Sequence, residues 1–114
     1  MVEVVYKLLT VDEAAAVEGL ARWAGSAVDR RDGFVHLSTA AQLPETARRH
    51  FGPQRLLLLG FDAAALPLVW EPSRGGALFP HLYGPLPVGA AVSRAWLPAD
   101  RAGGTAGGIA WGPP

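Results

Sequence analysis

The chain of 114 residues contains no cysteine. This absence excludes disulfide bonds, thiolate catalysis and any zinc or iron–sulfur site with cysteine ligands. The ten basic residues balance the ten acidic ones, so no net charge attracts the protein to nucleic acid or to an anionic membrane. We therefore expect a small-molecule or nucleotide ligand as the partner, with no membrane partner and with nucleic acid disfavoured.

Long apolar runs and targeting patterns are also missing. No run approaches the ~20 apolar residues that span a bilayer. The opening residues, MVEVVYKLLTVDE, lack the basic region, apolar stretch and small-residue cleavage site of a secretory signal. These two absences predict a soluble, cytoplasmic protein.

Several common catalytic motifs do not occur in the sequence. There is no GxGxxG pattern, no P-loop, no G-x-S-x-G elbow and no H-E-x-x-H. The usual dinucleotide, triphosphate, serine-hydrolase and zinc-protease sites are thus unsupported, and we expect no tightly bound cofactor.

What the sequence does contain is enough apolar material for one packed domain. Half of the residues are hydrophobic, and 14 glycines and 10 prolines favour short elements joined by turns. The order β-α-β-α followed by strands predicts an α+β fold, with two helices packed on a split, mostly antiparallel sheet. We place this single domain at residues 1–97 and interpret residues 98–114, rich in glycine and proline, as a flexible tail.

Two helices and one strand have specific local support. Thr10 and Glu13 form a T-x-x-E capping box before an alanine-rich segment, which predicts a helix over residues 11–22. Apolar residues at i, i+4 and i+8 predict a second helix over residues 41–51. The run RLLLLGF predicts a central strand buried on both faces. The segment AGSAVDRRDG is expected to be a polar loop, and ALFPHLYGPLPVG is expected to be mostly loop with a short extended piece.

His36 is the unusual residue, because it interrupts a short apolar strand, FVHLS. Three interpretations are open: a core histidine bonded to a backbone carbonyl, a metal ligand, or the wall of a ligand site. Strand alternation directs His36 and Ser38 to one face. Val35 and Leu37 then form the opposite, apolar face. Because the face that carries His36 is mixed in character, we predict that the histidine lines a cleft.

A second histidine lies late in the chain, in the segment FPHLYG. His81 and Tyr83 point to the same side of an extended segment. The candidate catalytic residues are His36, His81 and Glu71, and the candidate ligand-binding residues are Tyr83, Ser38, Asp32 and Arg74.

Simpler uses exist for several of these residues and their neighbours. Asp32, which with Asp29 precedes His36, suits a turn, and Ser38 suits a helix cap. The ligand count of His36, His81 and Glu71 also fits a two-histidine, one-carboxylate metal site. His50 lies near a predicted helix C-terminus, where the helix dipole explains a cationic side chain.

Three segments together resemble a known family. The chain resembles the bacterial domain of unknown function 952 family in the segments VYKLLT, GSAVDRRDGFVHLST and WEPSRGGALFPHLYGPL. Its motif pair is D-G-F-[IV]-H-L-S and F-P-H-L-Y-G. The resemblance covers about residues 2–97 and leaves out the glycine-rich tail. The family itself implies no activity, but it is similar in fold grouping to the ADP-ribosyltransferase superfamily, which includes the RNA 2′-phosphotransferases.

That resemblance implies a split, strongly curved sheet with a cleft for a nicotinamide nucleotide, and NAD as a candidate substrate. His36 would then bond the nicotinamide ribose, and Tyr83 would stack on the base. His81 or Glu71 would act on the second ribose or on the acceptor. Two alternatives remain open beside this enzyme: a small-molecule binding module without turnover, and a metal enzyme that uses both histidines.

Overall fold

Two antiparallel sheets form the frame of the computed structural model, which describes residues 2–112 apart from the side chain of Arg74. The strands are β1 (Val4–Thr10), β2 (Val35–His36), β3 (Ser38–Thr39), β4 (Leu56–Asp62), β5 (Leu68–Pro72), β6 (Leu78–Leu82), β7 (Ser93–Leu97), β8 (Thr105–Ala106) and β9 (Ile109–Ala110). The first sheet has the order β3-β1-β4-β7 and the second the order β2-β6-β5, while β8 and β9 form a hairpin. The expected α+β fold with a split, antiparallel sheet is confirmed.

Strand β4 is the centre of the first sheet, with β1 on one side and β7 on the other. Every residue from Leu56 to Phe61 is buried. Leu57 and Leu59 pack into one core cluster, and alternate residues such as Leu58 pack into a second cluster on the opposite face. The predicted central strand is confirmed. Its side chains are apolar on both faces, and such a strand is stable where both faces are buried.

The first helix begins where the sequence predicts it, but the extents of the helices differ from the prediction. In the described residues they are α1 (Val11–Val17), α2 (Ala27–Asp32) and α3 (Leu43–His50). Thr10 and Glu13 form the predicted capping box. The predicted end of α1 at residue 22 was wrong, because the helix stops at Val17 and Gly19 adopts a left-handed φ of 75°.

Helix α2 occupies a segment that was predicted to be loop, so that prediction was wrong. The Ser26 hydroxyl accepts a hydrogen bond from Asp29 N at 3.1 Å, and the Asp29 carboxylate accepts one from Ser26 N at 2.9 Å. This reciprocal pair is a capping box, which compensates for the polar composition of the segment. Gly33, with φ 88°, ends the helix.

Helix α3 follows a 3-10 turn over Ala40–Gln42 and ends at His50, one residue short of the prediction. Leu43 and Ala47 are buried on the predicted apolar face. Among residues 2–112, no helix has the length and hydrophobicity required to cross a membrane.

The predicted strand FVHLS is divided at Leu37 between the two sheets. Its first part, β2, pairs with β6, and its second part, β3, pairs with β1. Val35 and Leu37 are buried in the core, as their side of the strand pattern predicts. The segment therefore carries the chain from the second sheet to the first, and His36 and Ser38 lie at the junction.

Strand β6 is the middle strand of the second sheet. Its segment was predicted to be mostly loop with a short extended piece, and β6 is that extended piece. Pro80 lies within the strand, and its carbonyl oxygen accepts a hydrogen bond from Leu37 N at 3.1 Å. Proline removes only one donor from the ladder, whereas β6 is paired along both edges, with β2 and β5. Tertiary pairing thus overrides the local proline pattern.

The predicted tail contains the β8–β9 hairpin and two anchored side chains. Ile109 and Trp111 are buried in the second core cluster, and Trp111 Nε1 donates a hydrogen bond to Ala106 O at 3.0 Å. The described part of the tail therefore packs on the domain at its far end. Mobility of residues 100–108 stays a prediction, and residues 113–114 lie outside the described part of the chain.

Candidate functional site

His36 and His81 face each other from neighbouring strands. They are directly paired in the antiparallel register of β2 and β6, which places both side chains on the same face of the sheet. Their ring centroids are 5.7 Å apart, with an edge-to-face angle of 67°. The Phe34 ring packs against both imidazoles, with centroid distances of 4.5 Å and 4.1 Å. The structure thus brings the two predicted histidines into one site.

The buried carboxylate of Asp29 positions the imidazole of His36. Asp29 Oδ1 lies 2.7 Å from Nδ1 of His36 and accepts the backbone N–H of the same residue at 3.1 Å. The other oxygen, Oδ2, forms an ion pair with Lys7 Nζ at 2.8 Å. Lys7 also donates to His36 O at 3.0 Å. The ring of His36 is therefore fixed by a network that crosses from β1 to α2 and β2.

The electrostatics of this network favour an ionised Asp29. Burial alone would raise the pKa of the carboxyl, but the bond from His36 and the charge of Lys7 outweigh it and hold the pKa well below the usual range. Buried charges persist where they are paired and hydrogen-bonded. Lys7 and Asp29 fulfil this condition, with side chains only 7% and 1% exposed.

The second ring nitrogen of His36 contacts a carboxylate at the rim. Nε2 lies 3.1 Å from Asp32 Oδ2, and the Asp32 side chain is 30% exposed. Asp32 also accepts a hydrogen bond from Arg31 at 2.9 Å, and this bond lowers the pKa of the carboxyl from its ordinary value. Both ring nitrogens of His36 are therefore occupied by acidic side chains, one deep and one shallow.

His81 has a carboxylate partner of its own. Its Nδ1 lies 2.7 Å from Glu71 Oε1, and the same oxygen accepts a hydrogen bond from the Tyr83 hydroxyl at 2.7 Å. The bond from His81, followed by that from Tyr83, lowers the pKa of Glu71. The bond to Glu71 in turn raises the pKa of Tyr83. These three predicted residues therefore form one chain of hydrogen bonds that leads from the surface to a buried imidazole.

The two histidines line a cleft of about 570 Å³ at the junction of the sheets. This volume lies within the ~300–1,000 Å³ that is typical of small-molecule sites. The described polar and aromatic lining residues are Tyr6, Lys7, Glu13, Ser26, Asp29, Arg31, Asp32, His36, Ser38, Thr46, His50, Phe51, Ser73, Phe79 and His81. Among the described residues, Glu71 and Tyr83 do not line the cleft, so they reach it only through His81.

The remaining predicted residues have mixed placements. Ser38 is buried in the cleft wall, where its hydroxyl donates to Thr46 Oγ1 at 3.4 Å, so it does not cap a helix; Thr39 caps the 3-10 turn instead. The side chain of Arg74 lies outside the described part of the chain, and its anion contact stays a prediction. His50, which the helix dipole alone was expected to explain, also lines the cleft.

Two residues of the site were not separated out by the sequence pattern. The strand pattern predicts no separate role for Lys7, although a lysine within VVYKLL indicates a buried, paired charge. Asp29 was placed beside Asp32 without distinction. The S-x-x-D spacing from Ser26 is the feature that could have identified Asp29 as a capping, buried carboxylate.

The metal-enzyme alternative has no geometric support. Glu71 binds Nδ1 of His81 and does not converge with His36 and His81 on a common point. Within residues 2–112, no group of three histidine, aspartate or glutamate side chains has the arrangement that a metal ion requires.

These features describe a small α+β protein with two histidines in one cleft. The chain belongs to the family described as Protein of unknown function (DUF952), whose model matches residues 8–94. The predicted family membership is confirmed. The family description specifies no activity.

The chain is similar to protein CC0527 from Caulobacter crescentus. Its crystal structure is 47% identical in sequence, covers 82% of this chain and 85% of that chain, and has a TM-score of 0.77. Its solution NMR structure is also 47% identical, covers 81% and 82% of the two chains, and has a TM-score of 0.71. No curated protein matches the chain.

Proposed function

We propose that the protein is a cytoplasmic enzyme that acts on NAD or another nucleotide-bearing substrate in the cleft of His36 and His81. The reaction class is transfer at the nicotinamide ribose, as in ADP-ribosyltransferases and RNA 2′-phosphotransferases. The similarity in fold grouping between the family and that superfamily, together with the split sheet, supports this class. Fold similarity alone is a weak basis for function, so the proposal depends mainly on the site.

One observation carries the proposal: the state of the His81 imidazole. The residue is 5% exposed, and its Nδ1 is engaged by Glu71. Among the described residues, Nε2 has no hydrogen-bond partner, although His81 lines the cleft. A buried polar atom is normally bonded to protein or to water, so a nitrogen without a partner among the described protein residues, in a cleft of ligand size, is available to a substrate group.

The bonding of His81 defines what it would do in such a transfer. When Nδ1–H donates to Glu71, Nε2 carries a lone pair and can accept a proton. The hydroxyl oxygen of the acceptor forms a bond to C1 of the ribose while the bond from C1 to the nicotinamide nitrogen breaks. The hydroxyl proton passes to Nε2, and nicotinamide leaves as a neutral molecule with the electron pair. Glu71 then stabilises the imidazolium.

Binding and turnover test the proposal separately. We expect NAD or ADP-ribose to raise the melting temperature, because a ligand at 100 times its Kd stabilises a protein by about 2.7 kcal/mol. Chromatography of reactions with NAD should show nicotinamide release. His81→Ala should abolish release, and Arg48→Ala, at an exposed site outside the cleft, should leave both results unchanged. If no nucleotide changes the melting temperature and no nicotinamide appears, the proposal is wrong.

A binding module without turnover is the second candidate, and the bonding of His36 favours it. Because Asp29 and Asp32 occupy both ring nitrogens, the ring suits a fixed contact better than a free base. The outcome that supports this candidate is a ligand-induced rise in melting temperature without product. In either case His36→Ala should abolish that rise while the chain remains folded, since the ring faces the cleft and the core contacts of Val35 are retained.

A further inference from the structure

We infer that His36 and His81 form an acid–base pair, and that the pair cleaves a short ribonucleotide phosphodiester through the substrate's own 2′-hydroxyl group. The reaction uses the same cleft as the proposed NAD chemistry but does not depend on it. The inference starts from the different hydrogen-bond partners of the two imidazoles.

The hydrogen-bond partners of His36 suit a proton donor. A carboxylate can only accept hydrogen bonds. The contacts of Nδ1 with Asp29, at 2.7 Å, and of Nε2 with Asp32, at 3.1 Å, are therefore both attractive only when each nitrogen carries a proton. When both ring nitrogens carry a proton, His36 satisfies both carboxylates, and the ring then has a proton to give.

The proton on Nε2 is the one that a substrate can reach. Asp29, on the other nitrogen, is 1% exposed and is held by Lys7 and by the backbone of Ser26. Asp32 lies at the rim, 30% exposed, and its second partner, Arg31, is 72% exposed. A substrate oxygen can therefore displace Asp32 from Nε2, whereas Asp29 stays in place and keeps the ring oriented.

The hydrogen-bond partners of His81 suit a proton acceptor. Its Nδ1 lies 2.7 Å from Glu71 Oε1, and in the neutral ring whose Nδ1–H donates to that carboxylate the lone pair is on Nε2. No described residue uses that lone pair, and the ring lies 5.7 Å from that of His36 by centroid distance. One group in the cleft can contact both rings, giving a proton to His81 and taking one from His36.

Such a pair indicates a substrate whose leaving group needs a proton. Nicotinamide leaves as a neutral molecule and needs none, so NAD transfer would not use the acid. A two-carboxylate glycosidase is also disfavoured, because Asp29 and Glu71 are both engaged by histidines. A ribonucleotide phosphodiester contains both required parts, a nucleophilic 2′-hydroxyl and an alkoxide leaving group. The zero net charge of the chain favours a short substrate over a long polyanion.

The step balances with these two residues. The 2′-oxygen forms a bond to phosphorus while the bond from phosphorus to the 5′-oxygen breaks. The proton of the 2′-hydroxyl passes to Nε2 of His81, and Nε2–H of His36 protonates the leaving 5′-oxygen. The charge on the phosphoryl oxygens in the transition state is stabilised by the imidazolium of His36. The products are a 2′,3′-cyclic phosphate and a 5′-hydroxyl nucleoside.

The test uses the full chain with uridylyl-adenosine as the probe and its 2′-deoxy analogue as the substrate control. Chromatography should show uridine 2′,3′-cyclic phosphate and adenosine from the first compound and no product from the second. His36→Ala and His81→Ala should each lower the rate by on the order of 10²–10⁴-fold. Arg49→Gln, at an exposed site outside the cleft, should retain the rate. Loss of the rate in the histidine variants, purified in the same way, excludes a contaminating nuclease.

Three results would overturn the inference: no cyclic phosphate from the wild-type protein, equal rates in the histidine variants, or cleavage of the deoxy analogue. Thermal unfolding establishes that each variant is folded. His81→Gln, which fills more of the same space, replaces His81→Ala if the smaller side chain destabilises the core. Nicotinamide release from NAD without cleavage of the dinucleotide would refute this inference and leave the proposed transferase intact.

Discussion

Asp29 Oδ1 lies 2.7 Å from Nδ1 of His36 and also accepts the backbone N–H of that residue. One buried oxygen therefore fixes both the position of the strand and the rotation of the imidazole. Because Asp29 also caps α2 through Ser26 and pairs with Lys7, the stability of the fold and the geometry of the site depend on the same side chain.

Replacing Asp29 should be costly for folding. In Asp29→Ala the ammonium group of Lys7 remains buried without its carboxylate, and breaking a buried pair typically costs about 3–5 kcal/mol. The free energy of unfolding in urea measures this loss. Asp32→Ala is the matched control, since it removes the rim carboxylate from the same histidine and should change stability far less. Equal losses in the two variants would contradict the buried network.

Stability should fall in acid, and Asp29 should account for part of the fall. The pKa of its carboxyl is lower in the folded protein than its ordinary value of 3.8, so the unfolded chain takes up the proton first as the pH falls. The contribution is complete above that ordinary value and is lost as the pH falls below it towards the folded pKa. Glu71 and Asp32 act in the same direction.

Urea unfolding over a pH series from about 7 down to about 3 measures this dependence. Asp29→Asn should flatten the curve relative to the wild-type protein, and the difference between the two curves isolates Asp29 from the other carboxylates. Parallel curves would show that the carboxyl of Asp29 does not have the lowered pKa.

The bond between Tyr83 and Glu71 should be visible in a titration. Glu71 raises the pKa of the Tyr83 phenol through their hydrogen bond. Glu71→Gln removes the negative charge, so the pKa of Tyr83 should move down towards its ordinary value of 10.0. Ultraviolet absorbance of the phenolate measures the shift. Tyr6 is the other tyrosine of the chain, and a Tyr6→Phe background makes the signal specific. An unchanged titration would contradict the bond.

Trp111 should anchor the end of the chain. Its ring is buried in the second core cluster, and its Nε1 is hydrogen-bonded to Ala106. Truncating a buried tryptophan typically costs about 3–5 kcal/mol, so Trp111→Ala should lower the free energy of unfolding by that order. Trp70→Ala is the control, because Trp70 is 38% exposed. Hydrogen exchange in the same samples tests the predicted mobility of residues 100–108. Similar stabilities of the two variants would show that the tail is not anchored.

The elements that the sequence determined are those whose evidence is local. The apolar run of β4 requires burial on both faces, and the Thr10–Glu13 box starts α1 wherever the helix packs. The burial of Val35 and Leu37 was also predicted from local evidence, since side chains alternate between the two faces of any strand, whichever strands it pairs with. The predicted end of α1 was wrong, because the helix-forming alanines outweighed Gly19 in the sequence pattern.

The elements that the sequence predicted only in part or not at all depend on partners far along the chain. Strand β6 contains a proline and forms because β2 and β5 pair with its two edges. Helix α2 has a polar composition that is typical of loops. The carboxylate of Asp29, which completes its capping box, is buried against Lys7, and Lys7 lies 22 positions earlier in the chain.

The candidate site shows the same division. Residue type and alternation identified His36 and His81 as cleft residues, but only the register of β2 against β6 placed their rings 5.7 Å apart. Their carboxylate partners, Asp29 and Glu71, lie at seven and ten positions from the histidines. Each partner lies in a different element from its histidine, so no helix or strand period relates the two. A hydrogen bond depends on distances of a few tenths of an ångström. Packing sets such distances, and local sequence patterns do not encode them.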